Sequence, residues 1–150
     1  MKLPPLTDQE LQKFLREGRW VAKLATYNDD DSIRMTPLTY AVDADGDIIF
    51  STWQNSDAVR NVRRDGRASV LIDRVDQPYA GVHYIGHAET GPETCTPEEY
   101  ADSFGRYVGD AEQAAAGYRI LTSLGLGDRA TIRFRPSRRI TWDFAKLPGG

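Results

Sequence analysis

The sequence holds one cysteine, two histidines and two methionines in 150 residues, and these shortages narrow its chemistry. A single thiol, Cys95, allows no internal disulfide and no multi-thiolate metal site. No stretch approaches the roughly 20 apolar residues of a membrane-spanning helix. Met1-Lys2-Leu3-Pro4-Pro5 lacks the apolar core of a signal peptide, so a cytoplasmic protein is expected. Positive charge is not in excess: 19 Lys and Arg face 22 Asp and Glu, a net charge of -3, which argues against broad nucleic-acid binding. There is no Walker loop and no Gly-x-Ser-x-Gly elbow, and Gly125-Leu126-Gly127 follows a helix pattern instead of a strand, so it is no dinucleotide fingerprint. His83 and His87 lie four apart in an extended pattern. Their separation of about 13 Å is too large for two ligands each about 2 Å from one zinc ion. No metal is expected, and any redox chemistry belongs to a bound cofactor.

What the sequence does contain is well-punctuated local structure. Its length fits one domain over residues 1–150. Thr7 and Glu10 form a capping box, Leu6 is placed to staple onto Leu11, and Leu11, Phe14 and Leu15 make the apolar stripe of a first helix that Gly18 ends. Extended patterns follow at Trp20–Tyr27, Ile33–Val42 and Asp47–Thr52, the last two joined by an Asp-Gly hairpin signal at Asp45-Gly46. Ser56 caps a short helix over Asp57–Asp65 that turns Val59 and Val62 inward. Arg67–Asp73 and Tyr79–Glu89 read as strands. Two helices follow, one opened by Thr96-Pro97-Glu98-Glu99 and one by Asp110 with Gln113. Arg129–Arg135 is a final long strand, which Pro136 is expected to break. About six antiparallel strands with flanking helices predict a mainly β protein, closed as a small barrel that removes exposed edges.

The segment from Ser51 to Asp73 carries the most chemistry. Four arginines (Arg60, Arg63, Arg64, Arg67) fall within eight positions beside Ser51, Thr52 and Ser56. Hydroxyls, helix N-terminal amides and guanidinium groups at one turn suit a bound anion, above all a phosphate. The plainer alternative is a solvated helix face. Trp53, Trp142 and Tyr84 are large enough to flank a flat ring, although barrel aromatics mostly serve as core. Cys95, just before a helix cap, reads as incidental, and Asp29, Asp30 and Asp31 as a solvated turn.

Taken with Val21–Thr26, Arg34-Met35-Thr36-Pro37-Leu38, Asp45–Thr52, Gly86-His87-Ala88-Glu89 and Ile132–Pro136, the segment Arg60–Val70 resembles the pyridoxamine 5'-phosphate oxidase-like split β-barrel superfamily. The likeness spans nearly the full length and is greatest to the branch dependent on coenzyme F-420. It implies a homodimer with two cofactor sites between subunits, FMN or F-420 as cofactor, and hydride transfer to a small organic substrate. It places the ring against Arg34, Met35, Thr36, Pro37 and Leu38. The phosphate end is placed at Ser51, Thr52, Trp53, Ser56 and Arg60, with Arg67 nearby and Trp142 closing the site. Two positions depart from the pattern. Phosphate-holding members commonly carry a lysine, often beside an arginine, where this chain has Asp57 and Ala58. Loss of a cation and gain of a carboxylate weaken the phosphate site, and Arg34, Arg60 or Arg67 would have to compensate. The same departure motivates an alternative function: a non-catalytic protein of this fold that binds, carries or senses a flavin or tetrapyrrole.

Overall fold

The computed structural model describes residues 2–91, 97–124 and 128–149. The first helix, α1 (Asp8–Glu17), starts where its chemistry dictates. The Glu10 backbone N–H donates to Thr7 Oγ1 at 3.2 Å, and the Thr7 N–H donates to Glu10 Oε2 at 2.7 Å. Leu11 and Leu15 are fully buried, and Leu6 joins them in the core. Each such leucine contributes roughly 1.5–3 kcal/mol by leaving water.

Seven strands follow in one antiparallel sheet: β1 (Ala22–Tyr27), β2 (Ile33–Leu38), β3 (Ala41–Val42), β4 (Ile48–Trp53), β5 (Arg67–Arg74), β6 (Ala80–Thr90) and β7 (Arg129–Asp143). Their order is β2-β1-β5-β6-β7-β4-β3. The sheet curls into a half-barrel until β2, one edge, runs alongside β4 without pairing to it. That seam is the split. Between β4 and β5, helix α2 (Asp57–Arg64) crosses the concave side and turns Ala58, Val59 and Val62 into the core. Inside the curl, Leu24, Val70, Ile72, Val82, Ile48, Phe50, Ile132 and Phe134 alternate with outward-facing neighbours, as period-two strands require.

Helices α3 (Pro97–Val108) and α4 (Ala111–Ser123) pack on each other through Tyr100, Phe104, Ala114, Tyr118 and Leu121. Arg106 fastens the pair to the barrel. Its guanidinium donates to the carbonyls of Leu15 and Tyr40, both at 2.8 Å, and lies over the Tyr40 ring. No helix among the described residues is long and apolar enough to cross a membrane.

Two strand expectations are corrected. The extended pattern Ile33–Val42 is two strands, because Tyr40 turns its whole side chain into the core and donates its hydroxyl to the Leu15 carbonyl at 2.7 Å. Among the described residues the sheet therefore has seven strands where about six are expected. Pro136 also fails to end β7, which runs on to Asp143. Pairing with β4 stops at Phe134, and the β6–β7 register shifts at Ile85/Gly86, so Gly86 faces Pro136 while Ile85 faces Arg138. A proline is accommodated where its strand has lost one neighbour and bulges against the other. The hairpin at Asp43–Asp47 forms as expected, with Gly46 at φ +84. Cys95, the Thr96 cap and Gly125-Leu126-Gly127 lie outside the described residues.

Candidate functional site

The N-terminal turn of α2 is built as its sequence predicts. The Ser56 Oγ accepts the Val59 N–H at 3.2 Å, which caps the helix. Asp57 follows in the first turn, where a carboxylate interacts favourably with the helix dipole. From β2, Arg34 reaches Asp57 with Nη1 at 3.1 Å from Oδ2. From one turn along α2, Arg60 donates Nη2 to the other oxygen, Asp57 Oδ1, and Nη1 to the Asn55 carbonyl at 2.7 Å. One carboxylate thus engages both guanidinium groups nearest the turn. All three side chains are exposed, so each pair contributes only about 0–1 kcal/mol to stability.

Arg64 and Arg67 of this segment serve the fold. Asn61, almost fully buried, donates to Thr26 Oγ1 at 3.1 Å and to Asn28 Oδ1 at 2.9 Å, tying α2 to β1. Arg64 donates to the Tyr27 carbonyl and to Asn61 Oδ1. Arg67 forms a fork with Asp65 and stacks on the Tyr27 ring at 4.5 Å. That contact holds the Asp65 carboxyl down at about 2, through the Arg67 guanidinium and backbone N–H. Arg67 therefore belongs to the far end of α2 and does not compensate at its start.

Ser51 and Thr52 do not act together. They are successive in β4 and point to opposite faces. Ser51 lies on the side of Trp53 and Arg129, where Arg129 donates Nε to Ser51 Oγ at 2.8 Å and Nη2 to the Ser51 carbonyl at 2.7 Å. The same guanidinium lies over the rings of Trp53 and Tyr100, at 4.8 and 5.0 Å. Arg129 is absent from the sequence-based candidates. Its cross-strand neighbour is Trp53, 76 positions earlier, and nothing local announces that pairing.

β2 is an edge strand. Among the described residues it pairs only with β1, so its other edge faces the split. On its concave side are Arg34 and Thr36, the latter with a buried Oγ1 that has no hydrogen-bond partner among the described residues. A buried unpaired hydroxyl costs about 1–3 kcal/mol and marks a place where a ligand atom would be welcome. On its convex side, Ile33 and Met35 are 63 % and 57 % exposed. They begin an apolar groove of about 470 Å³ that runs over Ala25, Leu71 and His83 to Ile140 and Trp142. Trp142 is part of this convex groove, its ring lying over Gly81, where any side chain would collide with it. His83 stands in the groove, whereas His87 lies beside Gly66 at the other end of β6. No cluster of three or more potential metal ligands exists among the described residues. The geometry thus sorts the sequence-based candidates into three places: Arg34, Thr36, Ser56 and Arg60 around the split, Ser51 and Trp53 under α3, and Met35 and Trp142 in the outer groove.

These residues test the cofactor implied by the family pattern in two halves. The ring half fits, because β2 offers a free backbone edge, an apolar face and an orphaned hydroxyl. The phosphate half does not. Ser51 is held by Arg129, Ser56 caps its helix, Arg34 and Arg60 share Asp57, and Ala58 is buried with no charge to offer.

A curled antiparallel half-barrel with one helix crossing its concave side, a free β2 edge and a second helical pair outside defines the split-barrel class. The chain belongs to the pyridoxamine 5'-phosphate oxidase family, whose model matches residues 7–143. Among solved structures it is similar to the conserved hypothetical protein Rv2991 from Mycobacterium tuberculosis, with 26% identity over 99% of this chain and 92% of that one and a TM-score of 0.75. An F420 reductase shares 21% identity over 85% of this chain and 94% of its own, with a TM-score of 0.64. The heme storage protein HutZ from Vibrio cholerae shares 13% over 93% and 94%, with a TM-score of 0.65. The last two likenesses are of fold alone. No curated protein matches the sequence.

Proposed function

We propose that the protein is a homodimeric oxidoreductase that binds a flavin or deazaflavin ring along β2, with one site at each end of the subunit interface. The observation that carries the reading is the edge strand itself. One side of β2 is apolar, its edge has no strand partner, and an unpaired hydroxyl lies on the other side. A flat ring with a polar rim needs such a surface: stacking area from side chains and donors and acceptors from backbone. Beyond β2, the part of the groove over Leu71, Ile140 and Trp142 is the face a second copy would cover. An exposed apolar patch of this kind suits a two-fold dimer.

A bound flavin-type ring supplies hydride transfer, and the chain supplies position. Backbone groups of Thr36, Pro37 and Leu38 on β2 would hold the ring. The partner's face excludes water from one side. Tyr84 is buried in the core and keeps its proton near neutral pH, since burial pushes its hydroxyl up to about 12. Titration of the purified protein with riboflavin, FMN and F-420, followed by absorption and fluorescence, tests the reading. Saturable binding at two rings per dimer supports it, and failure of all three to bind refutes it.

A second reading keeps the ring and drops the turnover: the protein carries or senses a flavin or tetrapyrrole. Asp57 favours it, because it leaves the ligand without a phosphate anchor. Tight binding without reduction of a panel of quinones, enones and nitro compounds would decide for the carrier.

A further inference from the structure

We infer that Asp57 is the resident anion of this site, and that the chain takes a planar ring ligand with an uncharged tail in place of one ending in a phosphate. The inference rests on the ring-binding reading and narrows its ligand class. Both carboxylate oxygens are engaged, one by Arg34 at 3.1 Å and the other by Arg60. The two guanidinium groups come from different elements, β2 and α2, so the carboxylate ties the ring-side strand to the helix whose first turn a ligand's terminal phosphate would have to approach. Its position in the first turn of a capped helix adds the favourable dipole.

Four other cations of the surrounding elements are engaged elsewhere. Arg129 donates to Ser51, Arg64 to the Tyr27 carbonyl, Arg67 to Asp65 and Lys23 to Asp73. Ala58, the next residue of the turn, is only 1% exposed and contributes no charge. A phosphate arriving here would have to displace a tethered carboxylate from two guanidinium groups or lie beside it. Either outcome removes the advantage a phosphorylated ligand has over its uncharged counterpart. The uncharged ligand meets neither obstacle, since its ring and polyol need only the β2 edge and the adjoining hydroxyl.

The test compares the full chain with D57A and with D57N, which keeps the side-chain shape and removes the charge. Riboflavin and FMN are titrated by fluorescence quenching, and inorganic phosphate is scored at constant ionic strength by its effect on the thermal midpoint. The native protein should bind FMN no more tightly than riboflavin. In both variants FMN should tighten by about tenfold, equivalent to about 1.4 kcal/mol, with riboflavin unchanged. Phosphate should raise the midpoint of the variants and leave that of the native protein where it is. A native protein that prefers FMN tenfold or more, or variants whose FMN preference and phosphate response stay native, would overturn the inference. If neither flavin binds any of the proteins, the ring-binding reading fails. The phosphate arm then decides the role of Asp57 by itself: a response gained in the variants supports it, and no gain overturns it.

Discussion

Replacing Thr36 with valine should stabilise the protein while weakening its ligand, an unusual pairing of effects that follows from one atom. Thr36 Oγ1 is buried on the concave side of β2 without a hydrogen-bond partner among the described residues. Valine keeps the β-branched shape an edge strand favours and removes only the polar atom. The unmet hydroxyl costs about 1–3 kcal/mol, and partial exposure of the residue argues for the lower end, about 1 kcal/mol. For a chain of this length that raises the thermal midpoint by roughly 2–4 °C. The urea midpoint should rise with an unchanged slope, since the surface exposed on unfolding is the same. In the complex the hydroxyl acquires a partner, and a net hydrogen bond of about 0.5–1.5 kcal/mol is then lost in the variant. Riboflavin affinity should therefore fall by roughly 2- to 12-fold. A less stable T36V would show that the hydroxyl already has a partner in the free protein. A more stable T36V with native ligand affinity would remove Thr36 from the site.

Three other outcomes are expected besides that of the Asp57 variants. I140D puts a charge in the outer groove, where Ile140 is 55 % exposed. It should yield a monomer by analytical ultracentrifugation with an unchanged far-ultraviolet spectrum, and a dimer of native affinity would refute the assignment of that face. N61A removes two donated bonds and the acceptor for Arg64. A loss of about 2–3 kcal/mol, or roughly 4–12 °C, is expected by calorimetry, and a shift under 2 °C would contradict the structural role given to the Asn-Val-Arg-Arg segment. Burial raises the Tyr84 hydroxyl from its ordinary 10.0 to about 12. Between those values the unfolded chain holds fewer protons than the folded one, so this contribution to stability is complete below pH 10 and lost as pH rises toward 12. Absorbance at 295 nm in the native protein and in Y84F should differ only above about pH 11. A tyrosine titrating near 10 that disappears in Y84F would contradict the burial.

Much of this fold was legible because its punctuation is local. The Thr7/Glu10 box, the Ser56 cap and the Asp45-Gly46 turn each lie within four residues, and each is built as the sequence implies. What was not legible depends on distant partners. Tyr40 splits one extended run because α1 supplies an acceptor 25 positions away, and Pro136 is tolerated because β4 stops beside it. In the candidate site the residue types were readable but their engagements were not. Arg34 is 23 positions from Asp57, and Arg129 is 78 from Ser51. A cluster of arginines read in one dimension suggests an anion from outside, whereas the folded chain supplies the anion itself. The opposed faces of Ser51 and Thr52 were implicit in the period of two, yet grouping by proximity in sequence concealed them.

Native mass spectrometry of the unmodified protein, alone and with riboflavin, addresses the central claim most directly. The account predicts a species at twice the 16.8 kDa chain mass that takes up two riboflavin molecules. A monomer at all concentrations, or a dimer that binds no flavin-type ring, would contradict it.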